Sequence, residues 1–172
     1  LTFSAKGTSY AGQDSLEVVF RFDLPEGAIV HDSWLWVGDD IIRAKILDKW
    51  TASSIYEGIV QRRMDPSILV KQNATQYELR VFPMKANETR KVKITWLIPA
   101  TWSKETVQAD LPVQMLKTSK TPLQELIVLA WPDEDWQHPA FPGNQDIEFD
   151  AGSDPSAGPY YHAEIPAADL QP

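Results

Sequence analysis

Three consecutive carboxylates, Asp133-Glu134-Asp135, are the densest set of acid/base groups in this chain of 172 residues. A cation site needs oxygens converging from several chain positions. Glycosidic acid/base work needs two carboxyls about 5–9 Å apart across a cleft. A run of three meets neither condition alone and reads as a solvated acidic loop. His31, His138 and His162 are scattered, with no His-x-x-x-His or His-Glu spacing, and no Gly-x-Ser-x-Gly elbow supplies a serine nucleophile. No Gly-x-Gly-x-x-Gly or Gly-Lys-Ser/Thr loop is present to hold phosphate. Asp154-Pro155-Ser156-Ala157-Gly158 approaches an Asp-x-Ser-x-Ser metal loop but has Gly in place of the second Ser. Its Asp, Pro, Ser and Gly content suits a turn. No catalytic residue, cofactor or metal is expected.

Aromatic residues offer a second kind of chemistry, because Trp and Tyr faces stack on sugar rings and anchor protein interfaces. Seven Trp residues occur. Trp34, Trp36 and Trp96 lie within strand patterns and are expected in the core. Trp50, Trp102, Trp131 and Trp136 lie at element ends or in loops, where partial exposure is expected. Trp131 and Trp136, with Tyr160 and Tyr161, form the candidate ligand or partner face. Asn73-Ala74-Thr75 and Asn87-Glu88-Thr89 match the glycosylation acceptor pattern, which a bacterial source would leave idle.

These groups must be positioned by strands. Leu16, Val18, Phe20, Phe22 and Leu24 alternate with Glu17, Arg21 and Asp23, the period of a half-buried strand that stops at Pro25-Glu26-Gly27. Trp34 to Val37 and Ile41 to Ile46, joined by Gly38-Asp39-Asp40, read as a hairpin. The period then changes: Ala52, Ile55, Tyr56, Ile59, Val60 and Arg63 make one helical stripe, giving an α-helix over about residues 50–63. Asp48 or Thr51 would cap it, Asp65-Pro66 would end it, and its stripe is expected to pack on the sheet. Strand periodicity resumes at Tyr77, Leu79 and Val81 and again at Val92, Ile94, Trp96 and Ile98, where Lys91 and Lys93 read as solvated charge. Val107 to Met115 alternates around Pro112, suggesting an edge strand or a bulge. Leu126 to Trp131 reads as a strand buried on both faces, with short strands at Ile147–Phe149 and Tyr160–Ile165.

About seven strands and one helix predict a mainly β protein, an antiparallel β-sandwich or partly open barrel. One domain over residues 1–172 is expected, with a loose tail at 166–172. The net charge of −8 and the lack of a Lys/Arg-rich run exclude nucleic acid as a favoured partner. No apolar stretch reaches bilayer-spanning length, so no direct membrane insertion is expected. Absence of Cys removes disulfides and thiolate metal sites. Without an initial Met, and ending on Pro166 to Pro172, the chain is expected to be a piece of a longer protein.

Several segments in order resemble one family. They are Leu24-Pro25-Glu26-Gly27-Ala28, the hairpin tip at Gly38, the helical Ala52 to Tyr56, the strand Tyr77-Glu78-Leu79-Arg80-Val81, and Arg90 to Ile94. Together they resemble the VIT domain, the vault protein inter-alpha-trypsin domain, over about residues 16–99. In that family an LP-x-GA turn, a glycine-tipped hairpin, an A-x-x-x-Y helix and a charged V-x-I strand recur. Leu24, Pro25, Gly27, Gly38, Ala52, Tyr56, Tyr77 and Val81 are the matching structural positions. The resemblance implies a β-sandwich without an active site, often placed before a metal-binding von Willebrand factor A domain in a larger protein. A looser likeness is to bacterial VIT proteins of envelope-associated systems. The expected function is therefore a non-catalytic interaction or structural module of a larger, membrane-tied extracytoplasmic bacterial protein. Its expected partners are other domains of that chain or another protein. Residues 100–165 would complete the sandwich or extend it, and a carbohydrate-binding sandwich is the alternative.

Overall fold

A computed structural model describes residues 1–10, 15–45, 49–61, 67–118, 125–133, 136, 138–144 and 146–170, with the backbone alone for 49, 59–61, 117, 118 and 170. They fall into two compact units, Leu1–Met115 and Leu116–Pro172.

The first unit holds two larger antiparallel sheets and a two-stranded ladder. One orders β1 (Thr2–Ser4), β7 (Thr89–Leu97), β3 (Ile29–Val37) and β4 (Asp40–Arg43) as β1-β7-β3-β4; the other orders β2 (Leu16–Asp23), β6 (Gln76–Met84) and β5 (Ser67–Lys71) as β2-β6-β5. Period-two alternation decides what each sheet buries. In the second sheet Val18 pairs with Val81, Phe20 with Leu79 and Phe22 with Tyr77, so these side chains share the inner face. Phe20, Phe22 and Tyr77 stack at centroid distances of 5.3 and 5.8 Å. Leu35 and Val92, directly paired in the first sheet, are fully buried like Leu79 and Val81. Phe3 of β1 meets Phe20 of β2 edge-on at 5.5 Å, and Phe3, Leu16 and Val18 pack around Ala5, Met84 and Ala86. The protein is mainly β and antiparallel, as expected, with sheet packed against sheet and no closed barrel among the described residues.

The helix α1 (Lys49–Gln61) lies against β5. Its buried Tyr56 donates a hydrogen bond to Glu17 Oε1 at 2.6 Å, on the face of the β2-β6-β5 sheet opposite the core. Ile55, expected in the same packed stripe, is exposed. The candidate caps at Asp48 and Asp65-Pro66 lie outside the described residues, as do the side chains of Ile59 and Val60.

β5 is absent from the sequence reading, and the reason is physical. Leu69 shares the inner-face register with Leu79, whereas Ile68, one residue back, is buried on the opposite face beside the helix. A strand covered on both sides loses its alternation. Farther along, Val107 to Met115 is not one edge strand. Thr101–Trp102 (β8) pairs with Val107–Gln108 (β9), and Val113–Thr118 forms a 3-10 helix after Pro112, whose carbonyl accepts the Met115 N–H.

The second unit is a three-stranded antiparallel sheet ordered β10 (Glu125–Ala130), β12 (Gly158–Pro166), β11 (Asp150–Asp154). Two expectations change here. β10 is covered on one face only: Leu126, Val128 and Ala130 are half-buried, while Ile127 and Leu129 are 53% and 49% exposed. The short strand expected at Ile147–Phe149 lies at Asp150–Asp154, a sequence whose Asp, Gly and Ser resemble a turn. Phe149 is buried and stacks on Phe141 at 5.0 Å.

Candidate functional site

The turn that leads from β2 into β3 is built from Leu24 to Ala28. Leu24 and Ala28 are buried, and the Ala28 N–H donates to the Pro25 carbonyl at 3.0 Å. Gly27 holds φ at +82°, and a Cβ placed there would lie 2.9 Å from Pro99 Cγ. The Tyr77 hydroxyl donates to the Ala28 carbonyl at 3.1 Å, tying this turn to β6. Gly38, at φ +61°, turns the β3–β4 hairpin. Val81 is core, Tyr56 seats the helix and Ala52 is half-buried on it. The ordered motif thus consists of turn, tip and packing positions.

A family model described as vault protein inter-alpha-trypsin domain matches residues 4–96. The chain belongs to the VIT family. No match was found among curated proteins or among solved structures. Membership places it among modules associated with protein interaction. The VIT match lies within the first unit, running from the end of β1 nearly to the end of β7.

Two polar constellations of the VIT unit face away from its core. Under the helix, Glu78 is buried and accepts hydrogen bonds from Arg21 Nε at 2.6 Å and Arg80 Nε at 2.7 Å. The Arg80 bond, reinforced by Arg21, holds the Glu78 carboxyl below its usual range against the opposing effect of desolvation. Burial, followed by the bond to Glu17, pushes the Tyr56 hydroxyl well above its ordinary pKa. Both carboxylates are occupied by partners of this chain, and the Tyr56–Glu17 bond ties the helix to the sheet.

A lowered folded-state pKa means that Glu78 contributes stability above the unfolded glutamate value of 4.5 and loses it as pH falls through the folded value. The thermal midpoint of wild type is expected to drop on acidification below about pH 4.5 more steeply than that of Glu78→Gln. Parallel midpoint-versus-pH curves for the two proteins would contradict this assignment.

The second constellation is on the outer face of the β1-β7-β3-β4 sheet. Trp34 and Trp36, expected in the core, point outward and are half-buried, because the intervening Leu35 takes the inner position. Lys93 and Arg43 flank Trp34 in register from β7 and β4, and Lys91 lies opposite Trp36. Lys93 Nζ lies 5.0 Å and Arg43 Cζ 5.8 Å from the Trp34 ring centroid; Lys91 Nζ lies 5.0 Å from that of Trp36. These are cation–π distances. Asp32 accepts from Trp34 Nε1 at 2.6 Å and from Arg43 Nε at 2.9 Å, and the Trp34 bond is the main cause of its lowered pKa. Lys91 and Lys93, read from sequence as solvated charge, are ordered over indole rings. Their i, i+2 spacing opposite two i, i+2 tryptophans is the signal that could have revealed the ladder.

In the second unit the expected aromatic face divides. Trp131 and Tyr160 come together at 5.4 Å, beside exposed Ile127 and Leu129. Tyr160 packs over Gly152, where a Cβ would sit 2.6 Å from the ring. Tyr161, next in the strand, occupies the other face, with His138 at 4.4 Å. Trp136 is exposed, and its N–H donates to the Asp133 carbonyl. Trp50 and Trp102 are exposed as well.

The candidate acidic chemistry also resolves into local structure. Asp154 Oδ1 accepts the Ser156 and Ala157 N–H groups, both at 2.8 Å, which lowers its pKa and makes the segment a β11–β12 turn. Glu134 and Asp135 lie outside the described residues. Among the described residues no group of three or more His, Cys, Asp and Glu is placed to hold a metal ion. Asn73 and Asn87 are exposed; Asn73 Oδ1 accepts the Thr75 and Gln76 N–H groups in the β5–β6 turn.

Proposed function

We propose that this VIT chain is a non-catalytic protein-interaction module of a larger extracytoplasmic bacterial protein. The observation that carries the reading is the use of the polar groups on the outer face of the β2-β6-β5 sheet. Glu78 is committed to Arg21 and Arg80, and Tyr56 to Glu17, while exposed aromatic and aliphatic groups are left on separate faces. Such a division suits binding, since interface energy comes from aromatic, Arg and aliphatic anchors in desolvated contact. The family match supports an interaction role; the placement outside the cytoplasm rests on the looser resemblance of the sequence to envelope-associated VIT proteins.

Site-specific photo-cross-linkers at Ile41, Ile55 and Ile127, all exposed on different elements, test the reading in the full-length protein within its own cells. The expected result is an adduct with another domain of the parent chain or with a second protein from at least one position. Absence of adducts from all three positions overturns the interaction reading. An alkaline phosphatase fusion is expected to be active, because that reporter forms its disulfides only in an oxidising compartment; an inactive fusion with full expression overturns the placement.

A second reading is favoured by Trp131 and Tyr160, which present adjacent rings with Asp150 and His162 in register on the neighbouring strand positions. Aromatic platforms with nearby polar groups suit sugar rings. Quenching of tryptophan fluorescence by oligosaccharides, abolished in Trp131→Ala, is the expected outcome of that reading; no quenching across a broad glycan panel removes it.

A further inference from the structure

The outer face formed by Trp34, Trp36, Arg43, Lys91 and Lys93 is positive on a protein whose net charge is −8. Among the described residues, no carboxylate lies within 4 Å of the Lys91 or Lys93 ammonium. Arg43, whose side chain is 67% exposed, pairs with Asp32. Two cations, Lys93 and Arg43, approach the same indole from opposite strands. Of the cations on this face, Asp32 pairs with Arg43 alone, so Lys93 and Lys91 keep their positive charge available to an incoming anion. Packing over the rings restricts both lysine side chains, so less rotamer freedom is lost when a ligand binds.

We propose that this face docks an acidic polypeptide segment. The spacing supports this ligand class. Lys91 and Lys93 are alternate residues of one strand and therefore sit about 6.6 Å apart along it, the same interval that separates alternate side chains of an extended peptide. Carboxylates at alternate positions of such a peptide meet both ammoniums in register, and the intervening side chains lie toward solvent. The acidic balance of the remaining chain steers the partner away from other faces.

This assignment rests on the interaction-module reading and deepens it. Its test is calorimetric titration of the protein with a synthetic dodecapeptide of alternating Glu and Thr at low salt. An alternating Gln and Thr peptide and phosphatidylcholine vesicles with and without phosphatidylglycerol serve as comparisons. Saturable binding of the Glu peptide is expected, weakened about tenfold or more in Lys91→Gln/Lys93→Gln and by added salt. Lys85→Gln, in the β6–β7 turn, is expected to bind like wild type. Thermal midpoints of both variants should match wild type, which separates lost binding from lost folding. No binding of the Glu peptide, equal binding of the Gln peptide, undiminished binding by the double lysine variant, or binding confined to anionic vesicles each overturns the proposal. Failure here beside successful cross-linking in cells removes only the acidic-segment assignment; failure of cross-linking removes the module reading itself.

Discussion

Leu79→Ala is expected to lower the unfolding free energy by about 3 kcal/mol, within the range of about 2–5 kcal/mol for truncating a buried leucine to alanine. Leu79 is 0% exposed, sits at the centre of β6, and is flanked in register by Phe20 of β2 and Leu69 of β5. Neighbours on both sides are held by ladder hydrogen bonds, so the site cannot collapse to fill the lost volume. Urea denaturation would show the midpoint falling with the slope unchanged, because the surface exposed on unfolding is nearly the same. Leu97→Ala provides the contrast: Leu97 is 62% exposed, and its loss should change stability by no more than about 0.5 kcal/mol. Equal effects at the two positions would show that Leu79 is not the core residue described above.

The second large effect is expected at Gly27. A valine there meets two independent obstacles. Its backbone must keep φ near +82°, a conformation that costs a branched residue about 1–3 kcal/mol, and its Cβ would enter the space of Pro99 Cγ at 2.9 Å. A proline ring has little freedom to move aside. Gly7→Val isolates the first obstacle, since Gly7 has φ +72° with no atom within 4 Å of the added Cβ. Gly27→Val should therefore be the more damaging of the two in denaturant unfolding, and Pro99→Ala should recover part of the difference. Indistinguishable losses for the two valine variants, or no recovery with Pro99→Ala, would remove the steric role of Pro99.

The elements easiest to anticipate were those with one wet and one dry face. β2 is such a strand: Val18, Phe20 and Phe22 go inward while Glu17, Arg21 and Asp23 go outward, and the chain displays that alternation directly. The helix was legible for the same reason, with Tyr56 marking its buried side. Residue type ceased to report burial where a strand was covered twice or carried apolar groups into solvent. Ile68, Leu69 and Val70 look alike in sequence although they occupy opposite faces of β5. Trp34 and Trp36 look like core residues because hydrophobicity cannot distinguish a ring packed inside from one packed under a lysine. The aromatic face of the second unit had the opposite problem. A strand through Tyr160 and Tyr161 requires adjacent side chains to diverge, so they could not share a platform with Trp131. The family motif was legible as order and spacing. The reason for its tyrosine, a hydrogen bond across 49 residues to the Ala28 carbonyl, required the fold.

The edges of the four-stranded sheet bear on the behaviour of the protein at high concentration. An unpaired strand edge is a template on which another chain can add, and long flat apolar edges seed fibrils. Here one edge is β1, only three residues long, and the other is β4, four residues bounded by Asp40 and Arg43. Neither offers enough unpaired backbone for an incoming copy to gain a register, and the charges at both ends of β4 disfavour stacking by identical neighbours. At high local density this module is thus protected against strand addition at both edges of its four-stranded sheet, the sheet that carries the tryptophan and lysine ladder.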